Sequence, residues 1–163
     1  MNLNYENMRL QGKENIRLAE QNMGALMKLR AEFSKRKTFK DVRIALALHV
    51  TKETAVLVRT LRDGGAKVAI TSCNPLSTQD DVVAALQHEG VEVYGYKGES
   101  RTDYYKFLRR VLAIKPHITI DDGCDLVNLL HSSEKNICAI LLADVRKLPL
   151  ALSGLRPCKK LGR

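Results

Sequence analysis

Val42-Arg43-Ile44-Ala45-Leu46-Ala47-Leu48, running straight into His49-Val50-Thr51-Lys52-Glu53-Thr54, is the stretch that decides the fold. Its first seven residues are apolar except for Arg43. A run of that kind suits a strand buried on both faces, as in a parallel sheet. Thr51 is placed to cap a helix over residues 52–61, and Thr54 keeps the capping-box spacing with poorer chemistry. Gly64-Gly65 then ends the helix.

The same unit repeats downstream. A strand is expected over 67–71, then a helix capped by Ser77 or Thr78 and running through 87. Asp80 and Asp81 sit favourably in its first turn, and Gly90 stops it. A strand over 91–94, a helix over 101–114 and a strand over 118–120 follow, then Asp121-Asp122, a short helix over 125–130 and a fifth strand over 137–142. Upstream, Ile16, Ala19, Met23, Leu26, Met27 and Leu29 fall near helical spacing, which predicts one long amphipathic helix over 13–33 and a basic linker over 34–41. Strands alternating with helices imply right-handed crossovers. The expected fold is therefore α/β, a Rossmann-like parallel sheet with helices on both faces, preceded by the amphipathic helix. The chain divides into a helical segment and linker (1–41), the sheet-bearing part of an incomplete domain (42–143) and a basic tail (144–163).

The 163 residues carry 27 Lys+Arg and 18 Asp+Glu, a formal charge of +9. Arg146, Lys147, Arg156, Lys159, Lys160 and Arg163 against Asp144 place +5 of this in the last twenty residues, leaving +4 for residues 1–143. Aromatic content is 5% with no Trp, so bases would find few stacking platforms, and no nucleic-acid-binding signature is present. No nucleic-acid partner is expected. No apolar run is long enough to span a membrane, and residues 1–9 lack an apolar leader segment. Cys73, Cys124, Cys138 and Cys158 are scattered without a CxxC, so their spacing suggests neither a zinc site nor a disulfide framework. A reducing cytoplasm is the expected location.

In open parallel sheets ligands collect beyond the carboxyl ends of the strands. Three strand ends are polar here: His49 to Thr54, Ser72 to Asp80, and Asp121 to Asp125. Each residue has a plain structural reading. Thr51, Ser77 and Thr78 can be helix caps, Glu53 can serve a helix dipole, Asp121-Asp122 can be a turn with Gly123 at an unusual backbone angle, and Cys73 and Cys124 can be buried packing thiols. Convergence of the three segments on one rim favours a site. Gly64-Gly65 follows a helix and precedes a strand, the reverse of a dinucleotide loop, and no GxGxxG occurs.

These segments, in this order, resemble the adenosylhomocysteinase family. The resemblance rests on Leu48 to Leu57, Ser72-Cys73-Asn74-Pro75-Leu76-Ser77-Thr78-Gln79-Asp80, Tyr96-Lys97-Gly98-Glu99 and Asp121 to His131, with Leu18 to Met27 similar to the family's start. It covers roughly Lys13 to His131. It implies reversible hydrolysis of S-adenosyl-L-homocysteine to adenosine and L-homocysteine. In that reaction the ribose 3′-hydroxyl is oxidised with NAD, homocysteine leaves by elimination, water adds and the ketone is reduced back. The resemblance assigns proton transfer near the 5′ carbon to His49 and Asp122. It assigns the adenine edge to Thr51 and Glu53, with Thr54 beside them, and the homocysteine side to Asn74, Ser77 and Gln79. It implies a homotetramer. It also implies an NAD-binding domain, of which this chain shows no fingerprint, so the fragment alone is expected to be inactive. A non-catalytic nucleoside-binding module is the alternative; a basic nucleic-acid-binding protein is the weaker one.

After His131 the resemblance fades. Where the family has Glu-Glu-Thr-Thr-Thr-Gly, the chain reads Asp144-Val145-Arg146-Lys147-Leu148-Pro149-Leu150-Ala151-Leu152-Ser153-Gly154-Leu155. One allowed back-translation of that string, read two nucleotides later, gives Cys-Glu-Glu-Thr-Thr-Thr-Gly-Val-Ile-Arg-Leu. The expectation is a reading-frame shift between about His131 and Ala139.

Overall fold

The computed structural model describes residues 3–132. Two helices, α1 (Leu3–Asn22) and α2 (Gly24–Arg36), precede β1 (Arg43–Ala47), α3 (Lys52–Asp63), β2 (Lys67–Thr71), α4 (Asp80–His88), β3 (Glu92–Tyr94), α5 (Arg101–Leu112), β4 (Ile118–Asp121) and α6 (Asp125–Ser132). The four strands are parallel in the order β3-β2-β1-β4. The α/β expectation holds. The predicted fifth strand and the basic tail lie outside the described residues.

Alternation along each strand builds two cores. Ile44, Leu46, Val68, Ile70 and Val93 face α1, α3 and α4. Ala45, Ala47 and Ala69 face the other way, toward Leu108, Val111 and Leu112 of α5 and Leu126, Leu129 and Leu130 of α6. The period of two sends the large side chains to one face and the alanines to the other. The alanine face takes the leucine-rich stripes of α5 and α6.

The single amphipathic helix expected over 13–33 is instead two. The break is at Met23 (φ −111°, ψ 47°), flanked by Asn22 and Gly24, both weak helix formers. The bend lets α1 pack on α4 while α2 packs on α3. Glu20, near the end of α1, accepts from Arg30 of α2 (2.6 Å) and Arg59 of α3 (2.9 Å). Arg59 also pairs with Glu89, Arg30 with Asp63 (2.6 Å), and Arg62 with Glu89 (3.0 Å). This network ties three helices and the turn after α4 behind the sheet.

Helix caps are partly as expected. Thr51 Oγ1 accepts from the Thr54 amide (3.5 Å). The helix predicted to start at Ser77 or Thr78 starts at Asp80, with Gln79 in the N-cap position and no side-chain cap bond. Ser77 and Thr78 are drawn into the preceding loop by other partners.

Candidate functional site

The register fixes the rim. Ala47 of β1 pairs with Thr71 of β2 on one side and Asp121 of β4 on the other. All three strands therefore end at one level, and the segments beginning at Leu48, Ser72 and Asp122 leave it together. From β1 the chain winds out through β2 to β3, then returns to place β4 on the other side of β1. The direction of winding reverses between β1 and β4, and such a switch point opens the crevice in which α/β proteins hold ligands. His49 follows β1 and Asp122 follows β4, so the two flank it.

His49 Nε2 lies 3.4 Å from Asp122 Oδ2, and both side chains are about half exposed. On the other side of the ring, Nδ1 is 2.5 Å from Ser77 Oγ. Ser77 Oγ in turn donates to the Asn74 carbonyl (3.0 Å). The serine hydroxyl has one proton. With that proton on Asn74, the ring donates from Nδ1, and Nε2 is the nitrogen that faces the Asp122 carboxylate. A ring nitrogen and a carboxylate oxygen 3.4 Å apart can share a proton. That is an arrangement for holding and passing a proton.

The neighbouring Asp121 has a different job. Its Oδ1 accepts from the Gly123 amide (3.2 Å) and its Oδ2 from the Val127 amide (3.1 Å), anchoring the turn and the first turn of α6. The unusual backbone angle expected at Gly123 falls on Cys124 instead (φ 60°). Cys124 is exposed, not a buried packing thiol.

The β2–α4 loop is held largely by its own hydroxyls. Ser72 Oγ donates to the Asn74 carbonyl (2.7 Å), Thr78 Oγ1 donates to Ser72 Oγ (2.8 Å), and Asn74 Oδ1 accepts from the Leu76 amide (2.9 Å). Gln79 crosses to the neighbouring loop. Its Oε1 accepts from the Lys52 amide (3.0 Å) and its own amide donates to the Val50 carbonyl (3.0 Å). The resemblance assigned Asn74, Ser77 and Gln79 to the homocysteine side; their side chains stand together on this rim, where Asn74 and Gln79 accept from backbone amides through their oxygens and Ser77 contacts His49. Thr51 and Thr54 meet at the start of α3, while Glu53 makes a long contact to Lys52 (3.9 Å) and has an exposed carboxylate.

Two groups escaped the sequence reading as site members. Cys73 places its sulfur within 4.8 Å of ligating atoms of both His49 and Asp122. Burial, and then the charges of Asp122, Asp121 and Asp125, push its thiol up to about 11. Tyr104, in the first turn of α5, donates to Asp125 Oδ2 (2.7 Å) and lies 3.4 Å from the Cys73 carbonyl, linking two rim loops. Burial and that carboxylate raise its phenol above the ordinary range. Position in an amphipathic helix gave no sign of this role; only the docking of α5 does.

The family profile for S-adenosyl-L-homocysteine hydrolase matches residues 4–148. The chain belongs to the S-adenosyl-L-homocysteine hydrolase family. The match begins before Lys13 and continues past His131, beyond the span that the sequence motifs carried. An S-inosyl-L-homocysteine hydrolase of Methanocaldococcus jannaschii is 42% identical over 156 residues, covering 96% of this chain and 38% of that protein. Adenosylhomocysteinases of Pyrococcus abyssi and Sulfolobus acidocaldarius are 50% and 49% identical over 127 and 146 residues, covering 30% and 35% of those proteins. The chain thus spans about a third of the length of the curated relatives it matches.

Proposed function

We propose that this chain contributes the amino-terminal part of the substrate site of an S-adenosyl-L-homocysteine hydrolase. The observation that carries the reading is the His49–Asp122 pair, held by Ser77 at the switch point of the sheet. In this role the imidazole carries a proton at Nε2, Asp122 stabilises the charged ring, and Ser77 fixes its orientation. Together they serve departure of the thiol and entry of water at the nucleoside 5′ carbon.

Thr51 and Glu53 take the base. Thr51 Oγ1 accepts the cap bond and keeps its own proton to donate to a ring nitrogen. The Glu53 carboxylate only accepts, which suits the 6-amino group of adenine and opposes the 6-oxo group of hypoxanthine. The adenosyl substrate is therefore favoured over the inosyl one, the second reading, which the Methanocaldococcus jannaschii relative brings in.

The family reaction uses NAD, and the described residues do not fit it. None of the four strands runs into a GxGxxG turn, and the β1–α3 turn that would carry it reads Leu48-His49-Val50-Thr51. No step is assigned to NAD on these residues. The 163-residue chain alone should bind nucleoside weakly and show no turnover. A homotetramer and a cytoplasmic location are part of the same reading.

Calorimetry of the chain with adenosine and with inosine tests the base assignment. Adenosine should bind more tightly, and Glu53→Gln should remove the preference. Equal binding by the unaltered chain, or a preference untouched in Glu53→Gln, would overturn it. Release of homocysteine from S-adenosyl-L-homocysteine by the purified chain would overturn the inactivity.

A further inference from the structure

Cys73 has no part in the proton chemistry just described, yet it stands inside it. One ring nitrogen of His49, the Cys73 sulfur and one carboxylate oxygen of Asp122 all lie within 4.8 Å of one another. Metal–ligand bonds of about 2.0–2.3 Å place neighbouring ligands of a tetrahedral zinc about 3.3–3.8 Å apart, so side-chain movements of about 1 Å close the set.

The hydrogen bonds around the histidine suit a ligand. Metal-bound imidazoles commonly donate from the nitrogen that faces away from the metal, which fixes the tautomer. His49 Nδ1 has such a partner in Ser77 Oγ, itself anchored on the Asn74 carbonyl. Nε2 then faces Asp122 Oδ2 at 3.4 Å. A proton satisfies that pair, and so does a cation. Asp121 and Asp125 add negative charge at the same strand end, and the half-exposed His49 and Asp122 leave the approach open.

We propose that His49, Cys73 and Asp122 form a binding site for a zinc-like divalent cation, with a fourth position left to water. Imidazole and thiolate select such ions over magnesium or calcium. On binding, the Cys73 thiol releases its proton to solvent as the sulfur–metal bond forms, so affinity rises with pH. The three ligands come from three separate loops, which is why cysteine spacing gave no hint of them. The site shares two residues with the substrate reading but does not rest on it. When filled, it occupies both proton-handling groups.

Titration of the full 163-residue chain with Co2+ tests this, since a thiolate–cobalt bond gives a near-ultraviolet charge-transfer band. The band should saturate at one equivalent and be displaced by Zn2+. It should persist in Cys124→Ser and vanish in both Cys73→Ser and Cys73→Ala. Asp122→Asn should weaken binding roughly tenfold or more, since even outer-shell partners of a metal are worth that much. Far-ultraviolet circular dichroism establishes that each variant is folded. Absence of the band in the unaltered chain, its survival in folded Cys73→Ser, or unchanged affinity in folded Asp122→Asn would overturn the proposal.

Discussion

Gly12→Ala tests the packing of the amino-terminal helix on the sheet-bearing body. A Cβ built on Gly12 falls 1.9 Å from the Asp81 carbonyl oxygen, 2.3 Å from its carbonyl carbon and 2.9 Å from the Val82 nitrogen. These are backbone atoms of the first turn of α4, so no side chain can swing aside. Restoring ordinary contact at 3.4 Å requires α1 to retreat by about 1.5 Å. Ile16 and Ala19 follow Gly12 on the same face of α1, and both are buried. A gap of 0.5–1 Å already forfeits a quarter to a half of the dispersion well. The retreat also stretches the 2.7 Å bond from Asn15 to the Asp81 carboxylate. Overpacking of this kind costs about 1–3 kcal/mol, and loss of a hydrogen bond to a charged group about 1.5–3 kcal/mol. Alanine returns about 1 kcal/mol through helix propensity. The steric terms win, and a net loss of about 2 kcal/mol is expected. Urea unfolding followed by circular dichroism measures it. Gly24→Ala is the control, because nothing lies within 4 Å of its Cβ and the backbone angle is unstrained. That change should be neutral or stabilise by up to about 1 kcal/mol. A Gly12→Ala chain as stable as the parent, with a cooperative transition, would refute the close approach of α1 and α4.

Three further outcomes are expected. Burial opposes ionisation of Glu89, but its bonds from Arg59 and Arg62 outweigh burial and hold its carboxyl below the ordinary 4.5. Its contribution is complete above that value and lost as pH falls through the lowered folded value. Glu89→Gln should cost about 2 kcal/mol at neutral pH, less than the roughly 3–5 kcal/mol for breaking a fully buried pair because this carboxylate is partly exposed, and should flatten the acid limb of the stability curve; an unchanged limb would count against the network. Tyr104→Phe should destabilise by about 1–2 kcal/mol in the same unfolding assay, because Asp125 loses a charge-assisted bond; a change within error would refute the link between the rim loops. The nucleotide sequence across residues 131–155 should encode the Glu-Glu-Thr-Thr-Thr-Gly motif in a second frame, and codons that cannot do so would reject the frame shift.

How legible the chain is in one dimension depends on the range of the force involved. Val42 to Leu48 and Lys67 to Thr71 announce buried parallel strands because apolar continuity is a local property, and both strands are found there. The cap of α3 depends on a contact three residues away, and Thr51 performs as expected. Ser77 and Thr78 have the composition of caps, but their hydroxyls serve His49 and Ser72. The predicted single helix before the sheet breaks at Met23, since packing on two different helices outweighs the periodicity.

By itself the sequence determined the alternation of strands and helices, the three polar strand ends and the family motifs, all of which reside in neighbouring residues. The tertiary structure alone decided which of those ends meet. In-register pairing of Ala47 with Thr71 and Asp121 puts His49 and Asp122 across the switch point, 73 positions apart in the chain. The same pairing brings Cys73 beside them and commits Asp121, though adjacent to Asp122, to its own turn. Residue type sets what each group can do, but register and helix docking set which groups share one space.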